Sequence, residues 1–190
     1  MAKLISNKAF YEKSLKEFGV SAGGVHWKNK KTQYIRFDVI TEFIKEDLES
    51  STLCDIGCGL GEYYNYLRNK ELLPKKYTGI DCERKMIKVC NKRFPEIEFI
   101  EKNILYEDID EVDYTICSGA MNLMTFDQCS LFIKRAYKAS KKGFIFNFLQ
   151  SLTLNDVKPY EIVALCKSLS DTIYFKEKYL DNDFTIFMVK

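Results

Sequence analysis

Three glycines at alternate positions, Gly57, Gly59 and Gly61, follow the short run Leu53-Cys54-Asp55-Ile56 and precede a segment of helical character. Such a stretch asks a strand to turn sharply into a helix while its backbone closely approaches a ligand. A side chain at any of these positions would obstruct that approach. The spacing is G-x-G-x-G, with Glu62 where a dinucleotide fingerprint of the G-x-G-x-x-G type has its last glycine. A Gly-rich loop by itself says little, so the meaning of this one depends on what surrounds it.

The surroundings read as alternating strands and helices. Ahead of the glycines, residues 4–18 (Leu4, Phe10, Tyr11, Leu15 and Phe18 among charges) predict an amphipathic helix stopped by Gly19. Residues 19–31 read as a loop. Thr32 to Leu48 predicts a second helix, with Ile35, Val39, Ile40, Phe43, Ile44 and Leu48 as its buried stripe. From the glycines onward, strands are expected at 51–56, 77–81, 97–100 and 112–117, with helices at 62–70, 84–93 and 127–140. A turn at Lys141-Lys142-Gly143 then leads into an apolar strand, 144–149. A helix at 159–169 precedes strands 172–179 and 184–189, whose short connection makes them a hairpin. Alternation of this kind predicts an α/β fold, a mostly parallel sheet with helices on both faces and an antiparallel hairpin at the C-terminal end. With no internal repeat, low-complexity stretch or linker, residues 1–190 read as a single domain, in which 1–50 form an N-terminal helical layer and 51–190 the core.

Composition narrows the function. A hydrophobic share of 46% with 29% charged residues is that of a globular chain. A net charge of +2 supplies no large basic field for nucleic acid. No apolar run is long enough to span a bilayer, and Met-Ala-Lys-Leu-Ile-Ser-Asn-Lys lacks the apolar core of an export signal, so a cytoplasmic location is expected. The seven cysteines (54, 58, 82, 90, 117, 129 and 166) then read as reduced and mostly buried. There is no C-x-x-C pair for structural zinc. The C-x-x-x-C of Cys54 and Cys58 has Gly61 where an iron–sulfur motif continues with cysteine, so no metal is expected.

Asp55 two residues before Gly57, the glycines themselves and the terminal hairpin together resemble the class I (Rossmann-like) S-adenosylmethionine-dependent methyltransferases, and among them small bacterial members of unassigned substrate. The likeness covers most of the chain. It implies a three-layer, doubly wound, seven-stranded sheet, with S-adenosylmethionine as cofactor and S-adenosylhomocysteine as product. Asp55, Gly57, Cys58, Gly59 and Gly61 then belong to the cofactor loop. Asp81, twenty positions beyond Gly61 at a strand end, matches the family acid that holds the ribose, since a carboxylate accepts from both hydroxyls. Capping of the helix that begins near Glu83-Arg84 is its competing role. Asn103 stands where the family usually carries an Asp that accepts from the adenine amino group. Its amide oxygen can still accept, and a loop-forming Asn is the alternative. Ile104 would pack beside the ring, with Cys82 and Met86 on its other face or simply in the core.

Ser118, Gly119 and Ala120 follow the fourth strand, and small residues there leave room for a sulfonium centre. Asn122, just beyond, can orient an acceptor or make a turn. The N-terminal helices imply a lid over the cofactor, and Tyr11, His26, Trp27 and Tyr34 would line the substrate pocket or pack the lid to the core. Arg36 can clamp the methionine carboxylate bidentately or stand solvated on its helix. His26, the sole histidine, is the candidate general base, with an ordinary hydrogen-bonded role as its alternative.

Methyl transfer asks little covalent chemistry of the protein, only alignment and exclusion of water. That leaves the acceptor half of the site less legible than the cofactor half. No Asn-Pro-Pro-Tyr or Asp-Pro-Pro-Tyr follows the fourth strand, and no Pro-Cys pair is present, which counts against DNA amino and cytosine C5 methylation. A small-molecule acceptor is therefore expected. The lysines at 28, 30 and 31 and the Lys134/Arg135/Lys138/Lys141/Lys142 cluster keep RNA or protein acceptors open. A non-catalytic S-adenosylmethionine-binding protein and a dehydrogenase are the other readings. The sequence sets no oligomeric state.

Overall fold

The computed structural model describes residues 30–151 and 156–190. The helix expected over 4–18, the loop after it, and Tyr11, His26 and Trp27 lie outside the described residues. The elements are α1 (Lys30–Glu42), β1 (Thr52–Ile56), α2 (Glu62–Asn69), β2 (Lys76–Asp81), α3 (Arg84–Arg93) and β3 (Glu98–Glu101). They continue with β4 (Val112–Ser118), α4 (Phe126–Ala139), β5 (Ser140–Leu149), α5 (Pro159–Leu169), β6 (Thr172–Glu177) and β7 (Asp183–Val189). The seven strands form one sheet in the order β3-β2-β1-β4-β5-β7-β6. β1, β2, β3, β4 and β5 pair in parallel, and β7 runs antiparallel to both β5 and β6. This is the doubly wound, mostly parallel architecture with a terminal hairpin that the alternation predicts.

Each sheet face carries its own core. On one side Phe144, Phe146, Phe148, Phe184, Ile186 and Met188 pack against Phe132 and Ile133 of α4 and Ile162 and Cys166 of α5. On the other, Leu53, Tyr77, Tyr114, Ile116, Ile145 and Phe187 pack against Phe37 and Ile40 of α1, Tyr63 and Leu67 of α2 and Ile87 and Cys90 of α3. Strands buried on both faces read as apolar runs rather than as alternation, which is why β5 and β7 stand out so plainly in the sequence.

Two expectations are corrected. The second helix does not run to Leu48: α1 ends at Glu42, and the chain turns before a short 3-10 segment, Leu48–Ser50. Ile44 and Leu48 stay buried, but Asp47 is drawn inward by Tyr114 Oη, which donates to its carboxylate at 3.1 Å, and by Lys142 Nζ at 2.7 Å. The turn expected at Lys141-Lys142-Gly143 is instead the start of β5, which follows α4 without a gap. Gly143 serves the sheet there, since a Cβ on it would lie 2.4 Å from the Phe187 ring and from the Met188 carbonyl oxygen.

Candidate functional site

The strand order reverses between β1 and β4, the place where open α/β sheets leave a crevice at their carboxyl ends. The cleft found there encloses about 980 Å³, including the part open to solvent. The loop from β1 forms its floor. Gly57 N–H and Cys58 N–H both donate to the Ile80 carbonyl at the end of β2, at 2.8 and 3.0 Å, which draws the loop down onto the sheet. Gly57 has φ +79°, and a Cβ on it would sit 2.5 Å from Ala120 Cβ. Gly61 lies behind the loop rather than among the lining residues, where a Cβ would meet Phe94 at 3.0 Å and Phe99 at 3.2 Å. Its role is close packing of α2 onto the sheet.

Asp55, Gly57, Cys58, Gly59, Asp81, Cys82, Met86, Asn103, Ile104, Ser118, Gly119 and Ala120 all line this cleft. Asp81 Oδ2 accepts from Gly59 N–H at 2.9 Å and Oδ1 from Glu83 N–H at 2.8 Å. The carboxylate is thereby held rigidly, and each oxygen keeps a lone pair for a ligand hydroxyl. Burial raises its pKa, and those N–H donors oppose the rise. The Glu83 N–H belongs to the N-cap residue, so Asp81 fixes the turn before α3 rather than capping the helix itself, which is compatible with ligand contact. Cys82 is exposed at the cleft, and desolvation there together with the Asp81 and Glu83 charges raises its thiol pKa, so it presents a neutral thiol. Asn103 makes the loop-forming contact, its Oδ1 accepting from Leu105 N–H at 3.0 Å, with one lone pair left over.

Arg36 is not available as a carboxylate clamp. Its Nε and Nη2 hold the two carboxylate oxygens of Asp183 at 2.6 and 2.7 Å, and Nη1 donates to the Thr32 carbonyl at 3.2 Å. A bidentate pair inside the protein is hard to exchange for one with a ligand, because breaking it strands the buried Asp183. Tyr34 packs edge-on against Tyr66, with ring centroids 5.4 Å apart, and neither it nor Asn122 lines the cleft.

The cleft also contains residues that the sequence reading passed over: Gln33, Phe37, Glu62, Tyr63, Glu83, Lys102, Met124 and Phe132. A signal for Gln33 was present. Phe37, Ile40, Thr41 and Ile44 continue from it at spacings of three and four, and this is the face α1 buries, more completely than the half-buried Ile35. Met124 and Phe132 are brought in only by the fold.

Asp55 lies beneath the glycines and is 3% exposed. Burial, helped by the Asp81 charge and opposed by the Tyr77 O–H that donates to it at 2.7 Å, pushes its carboxyl up to about 7. Below its ordinary value of 3.8 the group is protonated folded or unfolded, and it contributes nothing to pH dependence. Between 3.8 and about 7 the unfolded chain loses the proton that the folded chain keeps, so stability falls as pH rises, and it levels off above that range. Asp55→Asn removes this dependence. The melting temperature of the variant relative to the parent should therefore climb by several degrees between pH 5 and pH 8 in thermal unfolding, and parallel profiles would contradict it.

Whether the residues fit S-adenosylmethionine turns on charge. The lining holds the carboxyl groups of Asp81 and Glu83, with Asp55, which burial keeps partly protonated, and Glu62, which pairs with Arg93, against the single lining cation of Lys102. That balance suits a sulfonium and opposes the pyrophosphate of a dinucleotide. Ser118 Oγ, buried at the end of β4 with no partner among the described residues, adds an unused polar atom at the same wall. Residues 47–180 match the family described as Methyltransferase domain. The chain belongs to that family. The methyltransferase uses S-adenosylmethionine as methyl donor. No curated protein matches it in sequence. Among solved structures, an S-adenosylmethionine-dependent methyltransferase from Leishmania major aligns at TM-score 0.74 and 14% identity, over 100% of this chain and 88% of the other. A TehB-like S-adenosylmethionine-dependent methyltransferase from Corynebacterium glutamicum aligns at 0.70 and 15% identity, over 97% and 100%. Magnesium protoporphyrin IX methyltransferase from Synechocystis, with S-adenosylmethionine bound, aligns at 0.68 and 14%, over 98% and 85%. At these identities the likeness is one of fold.

Proposed function

We propose that this methyltransferase acts on a small-molecule acceptor, with the cofactor seated across the glycine turn and Asp81 gripping its ribose. The cofactor supplies an activated methyl group on a cationic sulfur. Asn103 and Ile104 border the adenine, Cys82 and Met86 its other face, and Ser118, Gly119 and Ala120 the methionine end. The protein's work is to align the acceptor and exclude water, and a base is needed only if the acceptor must shed a proton in the transfer.

The observation that carries this reading is the walled cleft, whose carboxyl groups outnumber its one lysine and so oppose a polyanion. The basic cluster lends RNA little support. Lys141 pairs with Glu111, Lys142 with Asp47, and Arg135 donates to the Ile104 carbonyl. The described part of the N-terminal layer, residues 30–50, is read as a lid on a single domain, because α1 covers the face beside the cleft. All seven cysteines are free thiols, which favours a reducing, cytoplasmic setting. Among the described residues no helix is long and apolar enough to cross a membrane.

The test is transfer of labelled methyl from S-adenosylmethionine into a cell extract fractionated into small molecules, RNA and protein. Label should appear in the small-molecule fraction. Label confined to RNA or protein would overturn the assignment.

A further inference from the structure

Buried polar atoms without partners are costly and rare, and each one asks for an explanation. Among the described residues there are five: Gln33 Oε1, Tyr34 Oη, Ser118 Oγ, Asn122 Oδ1 and Asn147 Oδ1. They gather on α1, at the end of β4 and just beyond it, and near the end of β5. Ser118 and Asn147 stand opposite each other in the β4–β5 register, so their side chains share a face. It is the face that carries Tyr114, Ile116 and Ile145, which α1 covers. Gln33, 4% exposed, joins Ser118 in the lining of the cofactor cleft, while Asn147 is 1% exposed one strand further out.

The polar ground continues onto β7, where Thr185 is opposite Asn147 and Asp183 is two positions away on the same face. Arg36, one helical turn from Gln33, is committed to Asp183 and the Thr32 carbonyl. Asn147 Nδ2 donates to Asp183 Oδ1 at 3.3 Å, which orients the amide and leaves its oxygen as the spare end. What remains open is a set of neutral oxygens: amide carbonyls that only accept, with a serine hydroxyl beside them.

We infer that Gln33, Ser118 and Asn147 form the acceptor subsite, and that it selects a methyl acceptor presenting N–H or O–H donors in neutral or cationic form and rejects anionic ones. This rests on the reading that the adjoining cleft holds S-adenosylmethionine. A carboxylate or phosphate would face carbonyl dipoles, with Arg36 already committed to Asp183 and Lys102 the single cation among the described lining residues, and an acceptor without donors would leave the carbonyls unpaired. A neutral amine held by these oxygens keeps its lone pair for the methyl carbon, and one bound as an ammonium first gives a proton to water to free that pair. As the new carbon–nitrogen bond forms, the carbon–sulfur bond breaks with its pair left on sulfur, and the nitrogen then loses its proton to water. The carbonyls stabilise the positive charge that builds on that nitrogen.

The test titrates the full chain, saturated with S-adenosylhomocysteine, with ethanolamine and with acetate by ligand-observed NMR, using the parent, Asn147→Leu and Ser118→Ala. Ethanolamine should bind saturably and acetate should not. Asn147→Leu should weaken ethanolamine at least tenfold while binding S-adenosylhomocysteine within twofold of the parent, and Ser118→Ala should weaken ethanolamine severalfold. Acetate binding as well as ethanolamine, no ethanolamine binding, or indifference to both substitutions overturns the subsite and leaves the cofactor reading standing. Failure of the parent chain to bind S-adenosylhomocysteine brings down both.

Discussion

Replacing Asp81 by alanine should weaken binding of S-adenosylhomocysteine by at least about 100-fold, measured by calorimetry, while the protein stays folded. The carboxylate is held by Gly59 N–H at 2.9 Å and Glu83 N–H at 2.8 Å, which leaves its remaining lone pairs directed for two ligand hydroxyls. Each charge-assisted bond is worth about 1.5–3 kcal/mol, so losing two costs about 3–6 kcal/mol, or two to four decades in affinity. The glycine loop also loses its tether to β2's end through Asp81, which adds to the effect on binding. The effect on folding should be small, because burial already disfavours the charged form of this group, and its removal relieves that penalty while it frees two N–H groups at a cleft that water can enter. Asp81→Asn, which keeps one acceptor, should fall between the two. An alanine variant that binds within about tenfold of the parent would mean that the sugar lies elsewhere.

The lining of the cleft was legible because it depends on local grammar. The turn after β1, the acid ending β2 and the small residues after β4 are each set by what a few neighbouring positions permit. Helix boundaries were readable on the same terms: α5 begins at Pro159, a residue suited to the first helical position, and spans the expected 159–169. What escaped the reading is held by partners far off in sequence. Arg36 looked free for a ligand because its partner, Asp183, lies 147 positions away. α1 stops early because Asp47 answers to Tyr114 and Lys142, 67 and 95 positions on. Lys141-Lys142-Gly143 has the composition of a turn, yet the glycine is there to let Phe187 of β7 come close. The short 3-10 segment Ala120–Leu123 carries no periodicity by which to find it.

The second large effect is expected at Gly57. Gly57→Ala should lower the melting temperature by roughly 5–15 °C and abolish measurable cofactor binding. Two costs combine: a left-handed backbone at φ +79°, about 1–2 kcal/mol for a residue with a Cβ, and a clash with Ala120 Cβ at 2.5 Å, about 1–3 kcal/mol of overpacking. They can be separated. Ala120→Gly removes the clashing methyl but not the backbone strain, so the double variant should recover about half of the lost stability, and a double-mutant cycle should show coupling of about 1–3 kcal/mol. Binding should return only in part, because Gly57 N–H must still reach the Ile80 carbonyl, 2.8 Å away in the parent, to hold the loop in place. If the two substitutions merely add, the β1 turn is not pressed against the exit of β4.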